Sequence, residues 1–190
     1  MIQAKLFKPE VGERTGGVKI PVGIHKGTVK FEGVTQESGW ADIKFSNNNG
    51  QVIHKRLFEP TGNKPLENES PQAALDREID RNARTLVHVM EALLGNEVVE
   101  NYFAPDYKSF LTGAAMLLNA KKGVAVNLKV VPDWREKTYP DLPRKGFVEL
   151  YVEGQEPTLA YTALEQKDLL TLAENREKTQ GTATSEDPVF

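Results

Sequence analysis

The chain has 190 residues, 39% hydrophobic and 27% charged, with no cysteine and a net charge of −3. That length carries one core-bearing domain plus an appendage, and the composition excludes disulfides and Cys-ligated zinc. No apolar run is long enough to span a membrane, and the first residues lack a signal peptide's basic-then-apolar layout, so a cytoplasmic protein is expected.

The charge is unevenly spread. From Glu153 onward eight acids face three bases, a net of −5, which leaves residues 1–152 at +2. A mildly basic body followed by an acidic tail divides the chain into a domain over 1–153 and a tail over 154–190.

Residues 1–18 hold no sustained period, and Gly12, Gly16 and Gly17 read as a loose arm. From Ile20 to Val34 the pattern is strand-like, with Val29 and Phe31 on one face and Lys26, Thr28 and Lys30 on the other. Pro21, Gly23 and Gly27 predict that this strand is bent or lies at an edge.

Trp40 to Pro60 reads as a β-hairpin over the three-residue loop Asn48-Asn49-Gly50, with Gly50 in the position that needs a positive φ. Loop length fixes register, so cross-strand partners sum to 98. Ala41, Ile43, Phe45, Ile53 and Leu57 then share the buried face, with Lys55 the exception. Trp40, Asp42, Lys44, Val52, His54, Arg56 and Phe58 share the other. Aromatic rings mixed with positive charge suit a single-stranded nucleic acid platform, although the wet side of any sheet also collects such residues.

Thr61 to Pro65 is loop, without the spacing of a phosphate-binding Walker motif. Ser70-Pro71 opens a helix that Gly95 closes, with Leu75, Ile79, Ala83, Leu86, Met90 and Leu93 as its apolar stripe. Arg77, Arg81, Arg84 and His88 form a second stripe, which reads as a solvated face in preference to a binding surface. Asp106 caps a second helix, in which Phe110, Leu111, Ala114, Ala115, Leu117 and Leu118 are expected to be buried. Val124 to Val131 alternates as a strand, and Phe147 to Val152 is another. The polar loop between them holds Trp134, Arg135, Lys137, Tyr139, Arg144 and Lys145. A long loop that spends Trp and Tyr outside any periodic segment either stacks them on a ligand or folds back as a lid.

Beyond Gly154 one weak helix is predicted, with Thr162 and Glu165 at capping-box spacing and Leu164, Leu169 and Leu172 as its apolar content. From Lys178 the composition is that of a disordered segment, ending in Glu186-Asp187-Pro188-Val189-Phe190. A terminal aromatic beside the carboxylate suits a partner's pocket.

Nothing in the sequence calls for catalysis, a metal or a cofactor. His25, His54 and His88 lie in three separate elements, no nucleophile sits in a recognisable elbow, and Gly-rich nucleotide fingerprints are missing. Asp42 and Glu59 read as surface charges, and a non-enzyme is expected.

Three strands, a helical insertion over 70–122 and two more strands fit a five-stranded OB barrel with two helices between strands 3 and 4. With the Glu186-Asp187-Pro188-Val189-Phe190 ending, the layout resembles the single-stranded-DNA-binding proteins of replication, most closely those of bacteriophages. The resemblance implies an OB core that coats single-stranded DNA in replication, repair and recombination, in the host cytoplasm if phage-encoded. It also implies a tip that recruits a polymerase, helicase or primase. Trp40, Phe58, Trp134 and Tyr139 are then the stacking candidates; Lys44, Arg56, Arg135, Lys137, Arg144 and Lys145 are the phosphate contacts, with His54 on the same face. The competing expectation is a structural or adaptor OB-like protein of a virion or replisome scaffold, binding protein instead of nucleic acid.

Overall fold

The computed structural model describes residues 19–37, 39–133, 135 and 139–181. Its hairpin consists of β2 (Trp40–Asn47) and β3 (Val52–Leu57), paired Ala41 with Leu57, Ile43 with Lys55 and Phe45 with Ile53, the register expected from the loop. Gly50 takes φ +72°, and its N–H donates to Asn47 O at 3.1 Å. Ala41, Ile43, Phe45, Ile53 and Leu57 are all buried. Lys55, the misfit on that face, sends its ammonium to the backbone oxygen of Leu142 and to Asp141 at 3.4 Å. A cation on an apolar face is thus given three oxygens instead of a cavity.

The preceding strand, β1 (Gly23–Glu37), pairs β2 with its second half and β4 (Ala125–Pro132) with its first. It is bent and interior, with register breaks between His25 and Val29 and between Phe31 and Gly33. At the second break Gly33 has φ +112°, and a Cβ there would collide with Asn119 Oδ1 and Lys122. Asn119 uses the space: its Oδ1 accepts from Val34 N at 2.8 Å and its Nδ2 donates to Val34 O at 2.9 Å. Val34 keeps Ile43 of β2 as its ladder partner, but the pairing of β1 with β4 ends at Lys30, and on that unpaired side a helix-end amide takes the place of a strand.

The loop after β4 contains an unforeseen strand. β5 (Pro140–Asp141) pairs with Val131 and Pro132, while β6 (Val148–Leu150) pairs with Val126 to Leu128. The result is an α+β fold on an open antiparallel sheet of six strands, ordered β3-β2-β1-β4-β5 with β6 also on β4. The expected count was five, in a closed barrel; among the described residues no pairing joins β3 to β5.

Three helices, one more than expected, separate β3 from β4: α1 (Pro71–Leu94), α2 (Asn96–Glu100) and α3 (Tyr107–Asn119). The caps are those the sequence predicts, Ser70 accepting from Ala73 N and Asp106 from Ser109 N. The core lies between the sheet and α1 and α3, with Phe31, Phe45 and Phe147 fully buried at its centre. Their ring centroids are 5.6 and 6.3 Å apart along the chain of contacts. Burial is worth about 1.5–3 kcal/mol per ring and edge contact about 0.5–1.5, so exclusion of water dominates there. Leu117, expected inside, is partly exposed.

His88 was placed on the solvated stripe of α1; instead it stacks edge-on to Phe147 at 5.1 Å and accepts that residue's N–H at 3.2 Å. Burial, and secondarily the nearby Lys129 charge, hold its pKa below the ordinary 6.5. The folded state therefore favours neutral imidazole, while the unfolded chain takes up a proton near 6.5. Stability from this site is full above about pH 6.5 and declines as pH falls below it. Urea-unfolding midpoints should drop between about pH 6.5 and 5, before most carboxylates titrate, and His88→Gln should flatten that decline. An unchanged slope in the variant would assign the effect elsewhere.

Both faces of β4 are buried, although its sequence alternates. Asn127, Lys129 and Val131 are all buried, Asn127 bonding to Glu149 of β6 and Lys129 covered by the segment that follows β6. Lys129 Nζ donates to Ala160 O at 2.8 Å and Glu165 at 3.0 Å, and Glu149 accepts from Thr158 N at 2.9 Å. Lys26 pairs with Glu156. The segment then enters α4 (Ala163–Gly181) through the expected capping box, Glu165 N to Thr162 Oγ1 at 3.2 Å and Thr162 N to Glu165 at 2.8 Å. The first part of the acidic tail is therefore strapped to the sheet, and α4 runs past Lys178, where composition predicts disorder, to Gly181. Leu172 is buried as expected, while Leu164 is exposed. Among the described residues no helix is long and apolar enough to cross a membrane.

Candidate nucleic-acid interface

The outer face of the hairpin is organised by one carboxylate. Asp42 lies opposite Arg56 in the ladder and accepts from His54 Nδ1 at 2.8 Å and Arg56 Nη2 at 3.2 Å. The Arg56 guanidinium stands 5.3 Å from the Trp40 ring centre, covering the indole. Arg56 is 47% exposed, so its pair with Asp42 is worth about 0–1 kcal/mol. A phosphate can therefore capture the guanidinium at little cost.

Beyond β3 the chain is held by a polar face of α1. Leu86, Met90 and Leu93 of the predicted stripe are buried, but in the first half of the helix Ala74, Glu78 and Asn82 are buried in place of Leu75, Ile79 and Ala83, one position earlier in the turn. The rotation follows from what α1 faces, which is backbone needing partners. Glu78 accepts from Thr61 N at 2.9 Å and Gly62 N at 3.2 Å, and these two N–H groups hold its carboxyl below the usual range. Asn82 Nδ2 donates to Phe58 O and to the Tyr107 hydroxyl oxygen, both at 2.8 Å. Phe58 thus has a fixed backbone and a ring that is 69% exposed. Leaving such a ring in water forgoes about 1.5–3 kcal/mol of burial.

Three concavities meet at Arg56 and Phe58. A shallow one of about 390 Å³ adds Trp40 and Glu59. A second, about 280 Å³, adds His54, Lys19 and Tyr139, with the Lys19 ammonium 5.4 Å from the Tyr139 ring centre. The third and largest, about 720 Å³, runs between the segment after β3 and α1 and reaches Arg135 and Arg144. Among the described residues its lining carries seven Lys or Arg and two Glu, which makes its potential positive.

Of the residues singled out in the sequence, Trp40, His54, Arg56, Phe58, Arg135, Tyr139 and Arg144 come together on this surface. Lys44 lies opposite His54 but lines none of the three concavities, and the exposed Lys145 lines none either. Trp134, Lys137 and the tip Glu186, Asp187, Pro188, Val189 and Phe190 fall outside the described residues. Sequence reasoning set Arg77 and Arg81 aside as a solvated face and did not single out Lys64; all three line the largest groove. The available signal was the polar set Glu78, Asn82 and Thr85 at helical spacing, because Arg77 and Arg81 sit one residue before the first two. Among the described residues no cluster of three or more His, Cys, Asp or Glu could hold a metal ion. Compared with known proteins, the chain matches no family profile, no curated protein and no solved structure.

Proposed function

We propose that this chain is a single-stranded-DNA-binding protein of replication, repair and recombination, of the kind phages encode, that stacks bases on the hairpin face and neutralises phosphates with the arginines around it. The observation that carries the proposal is the convergence of three concavities on an exposed, backbone-clamped Phe58 and a guanidinium stacked on Trp40. Exposed aromatic rings edged by cations are what sequence-tolerant binding of single strands uses. An OB-type barrel is part of the same reading. Its support is the shared, doubly bulged β1, the helices inserted between β3 and β4, and the Lys55 contact that draws β3 towards β5. Recruitment of a polymerase, helicase or primase belongs to the tip Glu186 to Phe190, on the resemblance that its residues carry.

A fluorescence titration with oligo(dT), followed through Trp40 and Trp134, tests the proposal. Binding should quench the emission and weaken as salt is raised, because phosphate neutralisation releases counterions. A shallow aromatic face cannot stack on paired bases, so single strands should be preferred over duplex of equal length by at least about tenfold, or 1.4 kcal/mol. Absence of oligo(dT) binding at low salt would refute the proposal and favour a protein-binding scaffold.

A further inference from the structure

We infer that helix α1 supplies a second arm of the binding site: a phosphate rail, formed by Arg81, Arg144 and Lys64, along which the single strand continues once it has passed Phe58. The inference rests on the single-strand reading and extends it to a segment that a bare barrel would lack.

Charge pairing separates the groove's cations into two groups. Arg77 is committed: it holds Glu69 at 2.9 Å and donates to Lys64 O at 3.0 Å, which shapes the loop before α1. Arg81, Arg144 and Lys64 make no salt bridge among the described residues, and all three are exposed. Glu78, a buried acid of the groove, points its lone pairs at the N–H groups of Thr61 and Gly62, so it attracts Arg81 without capping it. Past Phe58 the lining offers no further aromatic ring among the described residues. What it offers is guanidinium and ammonium donors, which recognise phosphate oxygens and not base faces.

Size and shape agree. Sites of about 300–1,000 Å³ enclose a drug-sized ligand, so a groove of 720 Å³ admits about one or two nucleotides of a single strand. The cations belong to three different segments, the loop after β3, α1 and the loop after β5, so a strand lying in the groove is held from both sides.

The test compares the full-length protein with its Lys64→Ala, Arg81→Ala double variant on oligo(dT) of about 4 and about 16 nucleotides, the span of site sizes known for OB-type binders. Both side chains are exposed, so thermal melting should be unchanged. The double variant should bind the longer oligonucleotide at least about tenfold more weakly, with a salt slope shallower by about 1.4 for two lost phosphate contacts. Its affinity for the shorter one should stay within about twofold, because the hairpin face is intact. The charge-conserving Lys64→Arg, Arg81→Lys variant should keep the wild-type slope. Wild-type affinity for the longer strand in the alanine variant would overturn the rail. So would an equal loss on both lengths, or a loss confined to duplex DNA. Failure of the wild-type protein to bind either oligonucleotide is a different result, and it would remove the single-strand reading itself.

Discussion

Alanine at both Trp40 and Phe58 is expected to weaken oligo(dT) binding by roughly 2–6 kcal/mol, since each stacked base contributes about 1–3. Even the lower bound is about a 30-fold loss. Specificity of interpretation comes from exposure. Phe58 is 69% exposed and Trp40 is only half-buried, so neither substitution opens a cavity and melting should barely move. The clamp that aims Phe58 also stays, because Asn82 bonds to its backbone oxygen and not to its ring. Some of the Trp40 effect will travel through Arg56, whose guanidinium lies over the indole, and comparison of the single variants apportions it. A double variant that binds oligo(dT) like the wild type would leave the hairpin face without a role in binding.

The second large effect is on stability. Glu165→Ala should cost about 3–5 kcal/mol, because it leaves the Lys129 ammonium buried without its counter-ion, held by the Ala160 carbonyl and the Tyr161 ring 6.0 Å away. Lys129 is 2% exposed and cannot recover water without the strap lifting off β4. Replacing both charges, Lys129→Met with Glu165→Leu, should return most of the loss, since paired burial of ions is close to neutral against apolar packing. Urea unfolding of the two variants decides this. A single variant as stable as wild type would mean that the strap detaches at no cost.

Much of the fold was legible because its determinants are local. The hairpin register follows from three loop residues, and the caps of α1, α3 and α4 from Ser70, Asp106 and Thr162. Long-range events were not legible. Nothing in the alternation of β4 announces that Asn127 and Lys129 will be covered by a later segment of the chain, and Pro140-Asp141 is too short to show a period. The candidate site divides along the same line. Trp40, Arg56 and Phe58 share a face by strand alternation alone, whereas the contribution of α1 depends on which way the helix is turned. Polar partners in the 58–62 backbone decided that turn, and an apolar-stripe rule is blind to them.

The Asn119 amide, which takes both the N–H and the C=O of Val34, sets a lower limit on how small this domain can be. Excising the helices to leave a plain sheet would strand those two buried groups at about 1–3 kcal/mol each, besides freeing the oxygen of Phe58. Against a total stability of about 5–15 kcal/mol that is a ruinous fraction. Sheet and helices are therefore one folding unit, and shortened relatives of this chain would have to invent another partner for the Val34 backbone before they could dispense with α3.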